Sequence, residues 1–426
     1  MEKRFKGKKI GIWGFGLTGQ SALTFLSSEQ AQCMVFDDKS LSLNQTQLIK
    51  QHKALAVDAC YKQQFFEANE LILVSPGVSL ESWFEKYPNK FISELDLFAQ
   101  YVTTPVIAIT GSAGKTSTVT LLNQALNACG KKTCVGGNIG TPLLNLLSQQ
   151  HAYDYLILEL SSFQLEHTTQ FAPSIAAIIN IFENHLDRHH IMSLYVEAKA
   201  HIFMQQQEHQ QLIIPLEYID AFWSYFTHQK THLIAPDAYK DITHALSDIT
   251  CHQNLQIICA ILETLHIEPQ QLLSYKKNLK RPEHRLEYVL THDDITFYND
   301  SKATMPAATL QALTQLQTHH LILMIGGLSK GVDRSLFIQQ LVGNQAIKHI
   351  ICFGTEALQL HTFCQNAHLA SSAHTTLQKG YDAALTLAKS GDTILLSPAG
   401  SSYDEFKNYE ERGTFFKKLC QKFKTV

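Results

Sequence analysis

Short apolar runs recur along the chain: Lys9-Ile-Gly-Ile-Trp13, Cys33-Met-Val-Phe36, Leu71-Ile-Leu-Val-Ser75, Pro105-Val-Ile-Ala-Ile-Thr110, Tyr153 to Leu158, Ser174 to Ile181 and Gln211-Leu-Ile-Ile-Pro215. Three more follow at His320 to Gly327, His349 to Gly354 and Asp392 to Ser397. They do not alternate polar with apolar, so each reads as a strand buried on both faces, the habit of parallel sheets covered by helices. Gln20 to Ser28, Val119 to Leu126 and Ser193 to Gln207 lie between runs and read as helices. Leu286 to Leu290 and Ile295 to Tyr298 read as a hairpin. The pattern predicts an α/β protein. A length of 426 residues, at roughly 150 per domain, suggests about three domains. The expected boundaries are 1–100, Rossmann-like; 101–283, a central P-loop mononucleotide-binding domain with a parallel sheet; and 284–426, again Rossmann-like. The stretch 216–250 breaks the pattern and receives no chemistry.

The polar residues gather just after the apolar runs. Gly111, Ser112, Ala113, Gly114, Lys115, Thr116 and Ser117 follow the fourth run and precede a helix. Glycines let backbone N–H groups converge on an anion, and the helix N-terminus adds positive charge. Lys115 can reach outer phosphates, and the Thr116 hydroxyl can hold Mg²⁺. Ile109 stands where the usual motif has its first glycine, so this is a shortened phosphate loop. Gly14-Phe15-Gly16-Leu17-Thr18-Gly19 follows the first run, with Asp37 and Asp38 after the second. That turn suits NAD with an acidic residue on the ribose, equally the pyrophosphate of a UDP-sugar, or no ligand at all. Gly136 to Gly140 forms another glycine turn around Asn138. Glu159 and His185 both follow buried runs of the central domain, which would bring them near the phosphate loop. A carboxylate there suits Mg²⁺, or Mn²⁺ in its place. His189 and His190 are expected at the surface. Lys199, taken alone, reads as a solvated helix lysine.

Composition narrows the field. A net charge of −3 gives no polyanion-binding signal, so nucleic acid is not an expected partner. Nine scattered cysteines without a C-x-x-C pair, and a basic start that leads into a glycine-broken run, point to reduced thiols in the cytoplasm. No apolar run is long enough for a membrane span, and no membrane insertion is expected.

Together T-G-S-A-G-K-T-S, G-G-N-I-G, L-E-L-S-S-F-Q-L-E, N-H-L-D-R-H, H-R-L-E, N-D-S-K-A-T, S-P-A-G-S-S-Y-D-E-F and F-K-N-Y-E-E-R-G resemble the Mur ligases of peptidoglycan synthesis. With G-F-G-L-T-G the resemblance runs from about residue 8 to 416. It points to the branch that adds D-glutamate to UDP-N-acetylmuramoyl-L-alanine through an acyl phosphate, consuming ATP. The resemblance implies that Lys115 holds the β- and γ-phosphates and that Thr116, Glu159, His185 and a carbamylated Lys199 serve two Mg²⁺ ions. Asn138 would lie near the substrate and the reacting phosphate. Phe15, Leu17 and Thr18 would line the UDP site, with Asp38 and Lys39 near the uracil. Lys302, Thr304, Lys330, Ser402 and Tyr409 would surround D-glutamate. Gln253, Arg285 and Asp300 would face ATP, and the third domain would close over it. The implied partners are these small molecules, bound by a monomeric chain.

Three departures stand out. Gln253 occupies the place given to an asparagine near adenine. The segment between Pro215 and Cys251 is shorter than the family leads one to expect. Ala113 stands where relatives often carry asparagine, with little consequence foreseen because backbone groups do the work. Rival readings explain less. An NAD-dependent oxidoreductase would leave Lys115, Glu159 and Lys199 without purpose, and a folate-extending sister ligase would leave the first domain unexplained. A silent nucleotide-binding regulator has no need to retain Lys115, Glu159, His185 and Lys199 together.

Overall fold

The structure, a computed structural model, describes residues 3–87, 89–316, 318–329 and 332–424. The chain divides into two compact units, residues 1–279 and 280–426. The second begins at Lys280, four residues before the expected boundary.

The first unit contains two sheets. β1 (Lys9–Trp13), β2 (Gln32–Phe36), β3 (Leu55–Val57), β4 (Leu71–Val74) and β5 (Phe91–Ser93) pair in parallel, in the order β3-β2-β1-β4-β5. The second sheet holds β6 (Val106–Thr110), β7 (Thr133–Gly137), β8 (Tyr155–Glu159), β9 (Ile175–Ile178), β10 (Gln211–Pro215) and β11 (Lys230–Ile234). Its order is β11-β10-β9-β6-β8-β7, again parallel throughout. All five residues of β6 are buried, as an unbroken apolar run requires. Strand order reverses around β6, and ligands of open parallel sheets bind at the carboxyl ends of strands at such a point.

Each sheet has its own helices, yet the two share a core. Leu95, Leu97 and Phe98 belong to the same buried cluster as Leu143, Leu144, Leu146, Leu165 and Phe171. Side chains of this kind contribute roughly 1.5–3 kcal/mol each on burial. That is why residues 1–100 and 101–279, each with its own sheet, pack as one unit. Polar anchors sit on the same short helix, Glu94–Ala99. Asp96 accepts from the Thr168 hydroxyl and from the Thr169 and Gln170 amides at 3.0 and 2.9 Å. Glu94 is buried and accepts from the Leu143 and Leu144 amides, while its Oε1 has no partner. Burial pushes the Glu94 carboxyl up to about 8.

The second unit holds β12 (Glu287–His292), β13 (Ile295–Asn299), β14 (Leu321–Gly326), β15 (Ile347–Phe353), β16 (Ser371–His374) and β17 (Thr393–Leu396). β12 and β13 form the expected antiparallel hairpin, and the remaining pairs are parallel in the order β12-β13-β17-β14-β15-β16. The loops after β13, β17 and β14 are therefore neighbours.

Two readings of local structure change. The helix expected over Ser193 to Gln207 spans only Met192–Ala200. Beyond it the bonds shorten, Ile202 to Lys199 and Phe203 to Ala200, so the apolar spacing continues in turns. The unread stretch 216–250 supplies β11 at the sheet edge and a 3₁₀ turn at Leu216–Tyr218.

Candidate active site

The phosphate loop leaves β6 and enters the helix Lys115–Ala128, which starts at the lysine itself and not four residues later. Gly114 has φ of +83°, and a Cβ there would come within 2.3 Å of Asn254 Oδ1. Only glycine combines that backbone with that contact. Asn254 is buried and donates to Thr250 Oγ1 at 2.8 Å, so it forms the floor of the turn. Sequence reading stopped one residue short of it, at Gln253. Asn180, after β9, clamps the loop twice. Its carbonyl accepts from the Ser112 amide at 3.1 Å, and its Oδ1 accepts from the Ala113 amide at 2.9 Å. Lys115 Nζ donates to the Gly111 carbonyl at 2.8 Å, and Thr116 is buried one residue on.

Two further groups converge there. Glu159 ends β8, which pairs directly with β6, and is 2% exposed. Its Oε1 accepts from Asn138 Nδ2 at 2.7 Å, and its Oε2 is buried without a hydrogen-bond partner. Lys199 is 1% exposed and donates to the Gly111 carbonyl at 3.0 Å and to Thr110 Oγ1 at 3.2 Å. The isolated reading of Lys199 as a solvated helix lysine is thus overturned. Burial, and then the nearby Lys115 charge, holds its amine well below the usual lysine range. Tyr195 lies beneath it, with the lysine nitrogen 4.7 Å from the ring centre and the phenol donating to Ser112 Oγ at 3.1 Å.

His185 has φ of +55°, in the left-handed region, and its ring meets Phe163 edge-on at 4.9 Å. His190 is exposed, as expected. His189 is not: it is 3% exposed and its Nε2 lies 2.9 Å from Ser162 Oγ. Its helix turns inward after the left-handed residue at 185, which the residue pattern does not announce. Among the described residues, no group of three or more His, Cys, Asp and Glu could hold a metal ion without other donors.

In the first sheet, Leu17 is 77% exposed at the start of the helix Leu17–Ser28. Thr18 follows it, half-buried. The Phe15 side chain points the other way, fully buried in the core. Its amide donates to Asp37 Oδ2, and its carbonyl accepts from Gln45 Nε2 at 2.6 Å. Phe15 therefore shapes the turn and presents no ring to a ligand. Asp38 accepts from Trp13 Nε1 and Lys62 Nζ, both at 2.9 Å, beside exposed Lys39.

In the second unit, three loops meet at strand ends. Asp300, Lys302 and Thr304 follow β13, and buried Ser402 follows β17. Lys302 Nζ lies 5.2 Å from the ring centre of Tyr409, which opens the helix Tyr409–Lys424. Lys330 lies outside the described residues. Asp300 accepts from Ser397 Oγ at 2.7 Å and from the Leu286 amide at 3.1 Å. Burial pushes its carboxyl up to about 6, opposed by Ser397 and the Arg285 charge.

Two buried arginines hold these loops, and sequence reading assigned neither a role. Arg412 is fully buried and donates to Ser301 Oγ at 3.0 Å, the Ser301 carbonyl at 2.7 Å and the Gly400 carbonyl at 3.0 Å. Arg334 donates to the Gly326 and Gly327 carbonyls at 3.2 and 3.0 Å and pairs with Glu356. Gly413 packs so closely on His284 that a Cβ would fall 2.2 Å from Nδ1. An Arg-Gly pair inside an otherwise amphipathic helix was the available signal.

Among the described residues no helix is long and apolar enough to cross a membrane. Family models match in three successive stretches: the Mur ligase MurD-like N-terminal domain over residues 8–84, the Mur ligase middle domain over 109–268 and the Mur ligase glutamate ligase domain over 284–400. The UDP-N-acetylmuramoylalanine–D-glutamate ligase of Koribacter versatilis is 33% identical, covering 98% of each chain. That of Haemophilus ducreyi is 32% identical, covering 99% of each. Among solved structures, the MurF ligase of Thermotoga maritima in complex with ADP aligns over 92% of this chain and 95% of its own, with a TM-score of 0.59 at 15% identity. The UDP-N-acetylmuramate–alanine ligase MurC of the same organism covers 98% and 100%, with a TM-score of 0.58 at 13% identity. These two share the fold. Motif, architecture and near-full-length similarity agree, and the chain belongs to the Mur ligase family.

Proposed function

We propose that this protein is an ATP-dependent ligase that joins D-glutamate to the carboxyl of UDP-N-acetylmuramoyl-L-alanine, in the cytoplasm, as a monomer. The observation that carries the reaction type is the convergence of Lys115, Lys199 and Glu159 at the carboxyl ends of adjacent parallel strands. The substrate assignment is supported by the names of the full-length relatives. A monomer is supported by one chain supplying all the groups invoked.

A carboxylate is a poor electrophile, so it is activated first. Its oxygen attacks the γ-phosphorus, the bond to the ADP oxygen breaks, and an acyl phosphate results. The D-glutamate nitrogen then attacks the acyl carbon, phosphate leaves, and the amine gives up a proton. Bringing a carboxylate to a triphosphate opposes like charges, costing about 4 kcal/mol per pair at 4 Å and an effective dielectric of 20. Lys115 and the loop amides offset that repulsion by holding fixed positive charge where the transition state spreads negative charge.

The residues fit divalent cations. Glu159 Oε2 is a buried carboxylate oxygen with no partner, costly if left unmet and suited to a hard ion. Thr116, Glu159 and His185 would hold Mg²⁺, which supplies charge neutralisation on the phosphates. Lys199 fits its proposed carbamate: carbamylation needs a neutral amine, and burial beside Lys115 favours that form. The modified side chain would offer an anionic oxygen to a second Mg²⁺. Asn138 orients Glu159 through its 2.7 Å bond. Leu17, Thr18, Asp38 and Lys39 bind the UDP end, and Phe15 contributes turn shape alone. Lys302, Thr304, Lys330, Ser402 and Tyr409 would clamp the dianionic amino acid.

Phosphate release from Mg-ATP with UDP-N-acetylmuramoyl-L-alanine tests this directly. Release is expected with D-glutamate and not with L-glutamate. Equal release with both, or none with either, overturns the substrate assignment.

A further inference from the structure

The turn Leu216–Tyr218 belongs to the stretch without motifs, yet it reaches the phosphate loop through two side chains, Gln253 and Asn180. Gln253 Nε2 donates to Glu217 Oε1 at 3.1 Å and to the Tyr218 hydroxyl at 3.2 Å. Its Oε1 accepts from Asn180 Nδ2 at 3.5 Å, the longest link. Asn180 Oδ1 in turn accepts from the Ala113 amide at 2.9 Å. The direction of this chain is fixed at both ends. A carboxylate only accepts, so the Gln253 nitrogen must face Glu217; a backbone amide only donates, so the Asn180 oxygen must face Ala113. The two amides then meet oxygen to nitrogen, as the chain requires. Both N–H groups of Gln253 are committed within the protein.

We infer that Gln253 is a positioning residue, which holds the phosphate loop through Asn180 against the Glu217–Tyr218 turn, and that it does not read the nucleotide base. A base-reading amide needs an N–H or a carbonyl turned toward the ligand. Here the same groups serve a relay that ends on the loop backbone. The relay also gives the short 216–250 segment a structural use, since its first turn is the outer anchor of the phosphate loop. This rests on the reading of the loop as an ATP site, but not on the identity of the amino acid added.

Calorimetry on the full chain with Mg-ADP, Mg-IDP and Mg-tripolyphosphate tests the inference. Gln253→Leu keeps the side chain's bulk and removes its hydrogen bonds. Affinity for all three probes is expected to fall about five- to tenfold, with the ADP to IDP ratio unchanged. Glu217→Ala, on an exposed turn, should lower all three about two- to threefold. Glu217→Gln, which retains an acceptor oxygen, should restore wild-type affinity. The double variant Gln253→Leu with Glu217→Ala should bind no more weakly than Gln253→Leu alone, because both cut one chain. A collapse of the ADP to IDP ratio with tripolyphosphate binding intact would show that Gln253 reads the base, and would overturn the proposal. Unchanged affinity for all three probes would overturn it as well. Failure of the wild type to bind any probe refutes the nucleotide site itself, whereas binding without D-glutamate-dependent turnover refutes only the assigned substrate.

Discussion

The phosphate loop of the first unit and the polar cradle of the second are built in opposite ways. The loop is one continuous turn between β6 and its helix, and neighbouring strand ends bring Glu159 and Asn180 to its sides. The cradle draws its loops from three strands and depends on Arg412, which is fully buried and reaches no solvent. In the first case the residues proposed to hold the ligand also make the shape. In the second, the shape is made by a residue behind the site. A damaged loop should therefore fail in chemistry while the fold survives, and a damaged cradle should fail in stability first.

The largest effect that would sharpen this contrast is at Lys199. Lys199→Ala is expected to lower turnover about a thousandfold or more, with the thermal midpoint of the first unit little lowered. Short-chain carboxylic acids should partly restore turnover, and high bicarbonate should not. Turnover like the wild type's would break the proposed carbamate role. Arg412→Ala comes next. It leaves the Gly400 and Ser301 groups without their donor, and about 3–5 kcal/mol of stability should be lost from the second unit. Two-probe thermal unfolding would read this as one lowered transition. Arg412→Lys should recover only a fraction, since an ammonium cannot span three acceptors in the guanidinium's plane. Equal lowering of both transitions would mean that the cradle is not a separate structural element.

Glu94→Gln is smaller and depends on pH. Burial raises the acid from its ordinary 4.5 to about 8, so its contribution is fully present below about 4.5 and is lost progressively as pH rises from there to about 8. The wild type should lose stability across that window, and the variant should lose less, gaining on the order of 1–2 kcal/mol at pH 9. Parallel pH curves for the two proteins would show that Glu94 is not the titrating group. Ala113→Asn is expected to change ATP affinity by less than about twofold, because that position is held through its backbone amide. A tenfold change would show that the side chain matters.

The same contrast explains what was legible in the residues. The loop could be read because its parts are contiguous: an apolar run, glycines, Lys115 and Thr116. Lys199 was legible only by resemblance, since nothing local says that a helix lysine is buried. Asn254 escaped because the helix whose first turn it occupies carries a departure at the neighbouring position. Arg412 and Arg334 escaped because an arginine in an amphipathic helix, or beside an aspartate ahead of a helix, reads as a surface charge. Their burial is a property of the loops they meet, which are far away in sequence. The burial of the Phe15 ring was not legible for a related reason. A turn motif names a backbone path, and an aromatic side chain inside it can point to either face.

The core shared by Leu95, Leu97 and Phe98 with Leu143, Leu144 and Leu165 bears on how such a protein can be rebuilt. A graft that exchanges residues 1–100 for another sugar-nucleotide module cuts through packed leucines and through the Asp96 anchor. The recipient would expose an apolar face made for a partner it no longer has. The cut that respects the packing falls at 279–280, so the exchangeable piece is the C-terminal unit. Under the proposed assignment of sites, recombination of that unit would alter the incoming amino acid while leaving the sugar-nucleotide and phosphate sites on one intact body.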